Sequence, residues 1–565
     1  MRIAALFLVV LAMAVSIPVG VLLLREGEQA AVTGTPAAVP GQQGISGAAA
    51  VRNAEMATSL SATGTVQLID GAGNAPAASG DGDLAFRLSD LFVFGDLDGD
   101  GRDETAVILV VTRLGRPFAV QVGVIGSRTS ATGSLPAGSL VRSVQIDQRE
   151  LAVRYRDGES GLERERRYQF GARGLVLLGE TDVPPGAAES AFAYAIERVV
   201  VPAGGQALLE RRLPPGLGAD FLLTLNEGQG FSLWAESEFS NAILSVFGTR
   251  DQRTVVSRRD YISQYTGVSP IAQDYVVRVI NVSGGELPFR LSITAPGGTP
   301  PGSGPVVGGF SGVEPPPGGF RAPQGQFPLA ALSPIAAREV ESGAGRVAAA
   351  VVRLSDGALF TAGSPENLEL VSTVKLLILA AQMSIAEQER RELTPRELDL
   401  LWPMIAFSDN DSATLLWQSL GSEAGMQAWL ESARVAGFQP APLDEWGATT
   451  SSAAALAVML ARLYSGDLIS PEHRDLALEM MDAIIEGQRW GVSAGAAESG
   501  ASYVLKNGWF PEPDGWQVVS AGIVVPTDPS RAYAIAVMTD RQDSWEAGIA
   551  TIEAVAFAVA TAVAN

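Results

Sequence analysis

The chain of 565 residues is 47% hydrophobic, contains 62 glycines and 33 prolines, and carries a formal net charge of −22. Its length predicts several domains, and its negative charge excludes nucleic acid as a partner because phosphate binding needs a basic surface. The absence of cysteine excludes disulfides, thiolate metal sites and cysteine nucleophiles. The one histidine, His473, lies in the polar stretch SPEHRDL, where a surface position is favoured over a metal site or a catalytic triad.

The N-terminus carries an uncharged and almost wholly apolar run over residues 3–24. This run exceeds the ~7–15 residues of a cleavable signal core and approaches the ~20 residues that span a bilayer. We therefore expect residues 1–26 to form a single-pass membrane anchor with the following domains outside the cytoplasm; a removed signal peptide is the alternative. Residues 27–60, rich in Ala, Gly and Thr, predict a flexible tether.

Short β-rich runs separated by turn residues predict a β domain over residues 61–182. Its loop FGDLDGDGRDE spaces four carboxylates at positions 1, 3, 5 and 9: Asp96, Asp98, Asp100 and Glu104. Alternate oxygens converge on one point while Gly101 allows the sharp turn, which suits a hard cation. The loop resembles the calcium loops of FG-GAP and dockerin-type repeats, which implies a structural Ca²⁺ site; a solvated acidic loop is the alternative.

Residues 183–296 alternate apolar and polar residues in strands about 8–12 residues apart, which predicts a β-sandwich. The closing pattern DYVVRVIN and LPFRLSIT resembles the pre-peptidase C-terminal type of sandwich, which implies a binding or spacer role. Residues 297–327 are dominated by glycine and proline and predict a linker. Residues 328–565 then mix helical patterns with a few strands and predict an α/β domain with an antiparallel sheet and a helical lobe.

Lysine occurs only twice in the whole chain, at Lys375 and Lys506. Ser372 precedes Lys375 by three residues, so both side chains share one face of the predicted helix. A buried lysine can lose its proton and accept that of a serine hydroxyl, whereas arginine stays protonated. This chemistry explains lysine at position 375, although Ser-x-x-Lys is a weak motif when taken alone.

Two further motifs strengthen the argument. Ser408-Asp409-Asn410 precedes a helical pattern, and Lys506-Asn507-Gly508 lies on a predicted strand. The order S-x-x-K, S-D-N, K-x-G on an α/β domain resembles the class A β-lactamases and penicillin-binding proteins over about residues 328–565. The expected fold is therefore multidomain, with two β-rich N-terminal domains followed by a β-lactamase-like domain.

The resemblance implies a role for each matched residue. Ser372 is the acylated nucleophile, Lys375 its general base, and Ser408 the proton relay to the leaving nitrogen. Asn410 holds the substrate amide and Lys375, while Lys506 attracts the substrate carboxylate and keeps Lys375 deprotonated. Substrate recognition falls to Asn507 and Gly508, and the backbone N–H groups of Ser372 and Trp509 form the oxyanion hole. Catalysis of this kind needs no cofactor.

Two departures from the family pattern affect the expected activity. Asn507 replaces the usual threonine or serine, and the region before ATTSS is too short for a full omega loop, where class A enzymes hold the deacylating glutamate. Asp444 and Glu445 are the candidates for that base, with a solvated loop pair as the alternative. Without such a base, the acyl-enzyme would persist as in a penicillin-binding protein.

The sequence as a whole predicts an exported, membrane-anchored serine hydrolase. Its expected substrates are β-lactam or D-alanyl peptide amides, including peptides of peptidoglycan. The alternative is a cell-surface binding or scaffold protein with a vestigial hydrolase domain.

Overall fold

The computed structural model describes residues 52–564, except for 70, 81, 103, 114–115, 127–129, 137–138, 158–159, 161, 172–173, 184–193, 238–240, 261, 283–285 and 301–345. The predicted anchor lies outside these residues, as do most of the predicted tether and most of the predicted linker. Regular structure begins at Glu55, inside the range predicted as tether, because Met56 is buried in a strand pair with residues 65–67. The tether prediction was thus too long at its C-terminal end.

The first β region consists of antiparallel strands in one two-stranded, one five-stranded and one four-stranded sheet. Its strands are β1 (Glu55–Ala57), β2 (Thr65–Gln67), β3 (Ala72–Pro76), β4 (Asp83–Gly95), β5 (Glu104–Arg113), β6 (Arg116–Ile125), β7 (Ser130–Ser134), β8 (Leu140–Asp147), β9 (Glu150–Arg156), β10 (Glu163–Gly171) and β11 (Gly174–Asp182). The five-stranded sheet, in the order β3-β4-β5-β6-β7, has apolar cores on both faces. Alternation along β5 explains this, because Val107 and Leu109 enter one core while Ala106 and Ile108 enter the other.

The second β region is a sandwich of a five-stranded and a four-stranded sheet, ordered β12-β14-β19-β16-β17 and β13-β20-β15-β18. Its strands are β12 (Ile196–Val199), β13 (Gln206–Leu213), β14 (Gly218–Leu225), β15 (Gly230–Ser237), β16 (Ala242–Gly248), β17 (Thr254–Val256), β18 (Gln264–Val268), β19 (Gln273–Asn281) and β20 (Leu287–Thr294). Strand β20 shows why the sheets face each other: Leu287, Phe289, Leu291 and Ile293 are buried and alternate with more exposed residues.

The C-terminal domain is built on a five-stranded antiparallel sheet in the order β22-β21-β28-β27-β26. Its strands are β21 (Arg346–Arg353), β22 (Leu359–Gly363), β26 (Ser502–Glu512), β27 (Gly515–Val525) and β28 (Tyr533–Gln542), and three two-residue strands form a small second sheet: β23 (Leu368–Glu369), β24 (Phe438–Gln439) and β25 (Thr450–Ser451). Strand β26, which carries Lys506, is an edge strand of the main sheet. One side of that strand is therefore open to neighbouring elements.

Eight α-helices accompany these strands in the described residues of the C-terminal domain. They are α1 (Lys375–Gln388), α2 (Pro395–Ala406), α3 (Asn410–Ser419), α4 (Ser422–Ser432), α5 (Ala453–Tyr464), α6 (Pro471–Asp482), α7 (Ala494–Ser499) and α8 (Trp545–Ala564). Among the described residues, one helical stretch, Trp545–Val563, is long and apolar enough to cross a membrane. Its residues Ile552, Val555 and Val559 are buried against the main sheet, so this stretch is part of the domain core.

The sandwich packs against the C-terminal domain through apolar and charged contacts. The apolar contacts join Leu222, Phe247 and Val276 to Ala406, Phe407 and Ile485. Beside them Arg278 of β19 donates to the Asp220 carboxylate of β14 at 2.7 Å and to the Asp399 carboxylate of α2. All three side chains are buried. Burial, opposed in part by Arg278, raises the pKa of Asp220 to about 6.

Replacing Arg278 by alanine should destabilise the protein strongly, because it leaves Asp220 and Asp399 buried without a countercharge. We expect a loss of about 3–5 kcal/mol in the free energy of unfolding, measured by chemical denaturation. Arg290→Ala is the matched control, since in the described part of the chain Arg290 forms exposed ion pairs with Glu210 and Glu236, worth about 0–1 kcal/mol. Equal losses in the two variants would contradict a structural role for the buried cluster.

Candidate active site

Ser372 lies in a tight turn that leads into helix α1. Residues Val371–Val374 form a 3-10 turn, and the α-helix begins at Lys375. Val371 has φ of +44°, a strained conformation for a β-branched residue. The turn is fixed by a backbone hydrogen bond from Leu370 to Thr449. Ser372 itself is 6% exposed.

Lys375 is completely buried and is held by the second motif. Its Nζ lies 2.5 Å from the Ser408 carbonyl oxygen, 3.0 Å from Ser408 Oγ and 2.7 Å from Asn410 Oδ1. Burial lowers the pKa of Lys375 well below its usual value, the positive charge of Lys506 lowers it further, and Asp409 opposes the shift. These surroundings therefore favour the neutral amine, which is the form of lysine that can accept a proton.

The second motif owes its position to the start of helix α3. Asp409 caps that helix by accepting from the backbone N–H groups of Asp411 and Ser412. Ser408, just before the cap, has φ of +62° and is buried. The cap thus fixes the strained serine while Asn410, the first residue of the helix, faces Lys375.

The third motif lies on strand β26 beside the serine turn. A Cβ on Gly508 would come within 2.6 Å of the Ser372 backbone nitrogen and 2.7 Å of Val371 Cγ2, so only glycine permits this approach. Trp509, the predicted second oxyanion donor, is the next residue of the strand. Lys506 is fully buried, its Nζ donates to the Asn507 carbonyl at 2.8 Å, and burial lowers its pKa to about 7.

The Asn507 side chain, which was predicted to bind substrate, instead makes hydrogen bonds within the protein. Its Nδ2 donates to the backbone carbonyls of Gln488 at 2.7 Å and Trp490 at 3.0 Å, and the residue is fully buried. The side chain therefore anchors the 488–490 loop to β26. Sequence position alone could not show this, because it does not reveal which loop lies across the strand.

Neither predicted candidate for the deacylating base approaches Ser372 in the described contacts. Asp444 pairs with Arg87 of the first β region and accepts from Gln418 Nε2 at 3.0 Å. Glu445 is exposed. The residue that lies over Lys375 is instead Trp446, whose ring centroid is 4.9 Å from the amine. The side of Lys375 that faces this loop is thus covered by an aromatic ring.

Ser372, the predicted nucleophile, has a hydrogen-bond partner that the motifs did not predict. Ser372 Oγ donates to Gln252 Oε1 at 3.4 Å, and Gln252 belongs to the sandwich. In the described contacts, Ser372 Oγ makes no hydrogen bond to Lys375. No sequence signal marks Gln252, because it lies 120 residues before the serine.

The acidic loop brings three of its four predicted ligands together. Carboxylate oxygens of Asp96, Asp98 and Glu104 lie within 4.8 Å of one another, whereas Asp100 is not part of this group. Glu104 is buried, and burial raises its pKa. Arg149 lies 3.8 Å from Asp96. The three carboxylates fit a small hard cation in charge and spacing.

The two lysines allow a direct test of these protonation states. In protein labelled with ¹³C-lysine, NMR should show one ε-methylene titrating near pH 7, from Lys506, and a second one, from Lys375, titrating well below the usual range of lysine. Lys506→Arg should remove the first titration and so assign both signals. Unfolded protein is the control, since both lysines then titrate near ~10.4. Two titrations above pH 9 in the folded protein would contradict the buried neutral amine.

Comparison with known proteins identifies the C-terminal fold. Residues 393–563 match the model of the β-lactamase enzyme family, and no curated protein matches the chain. A solved variant of the last common ancestor of Gram-negative bacterial class A β-lactamase is 23% identical, over 41% of this chain and 98% of that one, with a TM-score of 0.36. A PBP-A mutant in an acyl-enzyme complex with penicillin G is 20% identical (43% and 98%, TM-score 0.37), and a β-lactamase from Xanthomonas campestris pv. campestris is 18% identical (41% and 97%, TM-score 0.37). The family-model match shows that the C-terminal part of this chain is a β-lactamase-like domain, as its motifs predicted.

Proposed function

We propose that this protein is a serine hydrolase that transfers an acyl group from a cyclic or acyclic amide to Ser372. The observation that carries the proposal is Lys375, a fully buried amine whose pKa is lowered and which contacts the side chains of Ser408 and Asn410 in the second motif. Buried lysines with lowered pKa values are typical of general bases. No cofactor is needed for this reaction.

The proposed reaction contains two proton transfers, one from Ser372 to Lys375 and one from Lys375 to the leaving nitrogen. Lys375 Nζ takes the Ser372 hydroxyl proton as Oγ attacks the substrate carbonyl carbon, and the carbonyl oxygen becomes negative. The backbone N–H groups of Ser372 and Trp509 would stabilise that oxygen, each worth about 3 kcal/mol in comparable sites. The C–N bond then breaks, and the proton passes from Lys375 through Ser408 Oγ, 3.0 Å away, to the leaving nitrogen.

We further propose that hydrolysis of the acyl-serine is slow. Deacylation needs a base that activates water near the ester. Asp444 is engaged with Arg87 and Gln418, Glu445 is exposed, and Trp446 covers Lys375. The site therefore favours the behaviour of a penicillin-binding protein, with D-alanyl peptides of peptidoglycan as the natural substrate class. The apolar run over residues 3–24 is the support for an anchored, extracytoplasmic location.

Incubation of the protein with a labelled penicillin should give a lasting adduct on Ser372, detected by intact mass and peptide mapping. Lys375→Arg should lower the rate of labelling at least ~10²-fold, because a guanidinium cannot accept the proton. Arg390→Lys, at the end of the same helix region, is the control and should label normally. Rapid turnover of a chromogenic cephalosporin would contradict slow deacylation. No adduct and no turnover would favour a binding or scaffold protein with a vestigial hydrolase domain.

We also propose that the loop carrying Asp96, Asp98 and Glu104 binds a structural Ca²⁺. Support comes from the convergence of the three carboxylates and from the burial of one of them, Glu104, at the start of β5. Carboxylate oxygens are the ligands that Ca²⁺ takes in proteins. The ion would offset the repulsion among these charges and so stabilise the first β region; it would take no part in catalysis.

Thermal unfolding tests the calcium proposal without any activity measurement. Millimolar Ca²⁺ should raise the Tm relative to that of the chelator-treated protein. At a hundredfold excess of Ca²⁺ over Kd, the free energy of unfolding should rise by about 2.7 kcal/mol. Asp98→Asn should abolish the shift. Asp100→Asn should largely retain it, because Asp100 is not among the converging carboxylates. A Ca²⁺ shift that survives Asp98→Asn would contradict this site.

A further inference from the structure

The loop between β16 and β17 of the sandwich, residues 249–253, reaches the nucleophile of the C-terminal domain. Its Gln252 accepts a hydrogen bond from Ser372 Oγ, which is otherwise 6% exposed. Gln252 has φ of +54°, an uncommon conformation for a residue other than glycine. Its Nε2 is buried and finds no hydrogen-bond partner among the residues that the structure describes. A strained residue with an unsatisfied amide at a nucleophile is typical of a functional contact.

This loop is built to stay in place on its own domain. Gln273 Oε1 accepts from the backbone N–H groups of Arg250 and Asp251, and Gln273 Nε2 donates to the Asp251 carboxylate. Thr249 is bonded through its N–H and its hydroxyl to the Asp274 carbonyl. The position of Gln252 is therefore set by the sandwich and is not that of a freely moving loop tip.

The same loop is also tied to both sides of the cleft. Gln488 Nε2 donates to the Thr249 carbonyl at 2.6 Å and to the Phe407 carbonyl at 3.1 Å. Phe407 immediately precedes Ser408, and the Gln488 carbonyl accepts from Asn507 of β26. The sandwich loop thus lies at the junction of the second and third motifs, where the leaving group and the substrate carboxylate are expected.

We propose that the sandwich closes one end of the active site and that Gln252 is a positioning residue that restrains Ser372. The inference rests on the proposed acyl transfer. In its contact with Gln252 the Ser372 hydroxyl is the donor, at 3.4 Å, so the hydroxyl must turn towards Lys375 before that amine can accept its proton. The carboxamide of Gln252 also occupies space beside Oγ, where a reacting carbonyl carbon must come within ~3–3.5 Å. A substrate amide therefore has to displace this carboxamide.

Removal of the Gln252 side chain tests the restraint. In Gln252→Ala and Gln252→Gly, the acylation rate constant at saturating penicillin should rise about 2–10-fold, the range of one lost hydrogen bond. Gln252→Gly accommodates the positive φ without strain and guards against a folding defect in the alanine variant. Gln206→Ala, an exposed glutamine at the start of β13, is the matched control and should acylate like the unchanged protein.

A fluorophosphonate reagent separates this inference from the proposed function, because it labels activated serines without β-lactam recognition. Faster phosphonylation of Ser372 in both Gln252 variants supports the restraint even where penicillin does not react. Equal or slower labelling in the variants, or no labelling of any variant, overturns it. A slower reaction with penicillin combined with unchanged fluorophosphonate labelling would assign Gln252 to substrate binding and would overturn the restraint as well.

Discussion

The arrangement of the C-terminal domain depends on the burial of one amine. Lys375 has no exposed surface, its main polar neighbours are oxygen acceptors without full charge, and a second buried lysine lies near enough to disfavour its protonation. Desolvation in such surroundings lowers the pKa of Lys375 and so favours its neutral form. Arginine, which the chain uses at every other cationic position, would bring a permanent charge into the same space.

Holding that amine in place requires strain in the backbone around it. Val371 and Ser408, which flank the site from two different segments, both have positive φ, and Gly508 allows β26 to approach the serine turn to a distance no side chain would tolerate. Each strained residue costs about 1–3 kcal/mol and persists only because the surrounding structure determines it. Here the large apolar core around α1 and the helix cap at Asp409 hold the strained residues in place.

The three motifs could be predicted from the sequence because each depends on local spacing and residue chemistry. The match of residues 393–563 to the β-lactamase family confirms the predicted domain type there. Asn507 shows where a role inferred from a motif can fail. Its neighbours along the chain do not reveal that its side-chain amide donates to carbonyls of the 488–490 loop. Gln252 and Trp446 could not be found at all, because their positions follow from long-range packing between segments that carry no recognisable pattern.

The ion cluster at Arg278 has a consequence for the evolution of the chain. It joins the sandwich to Asp399 on α2, the helix that ends at Ala406, just before the second motif. A recombination event that exchanged the sandwich for an unrelated module would uncover an acidic residue and an apolar patch on the C-terminal domain. The two modules are therefore expected to be inherited together, as a single selectable unit rather than as interchangeable parts.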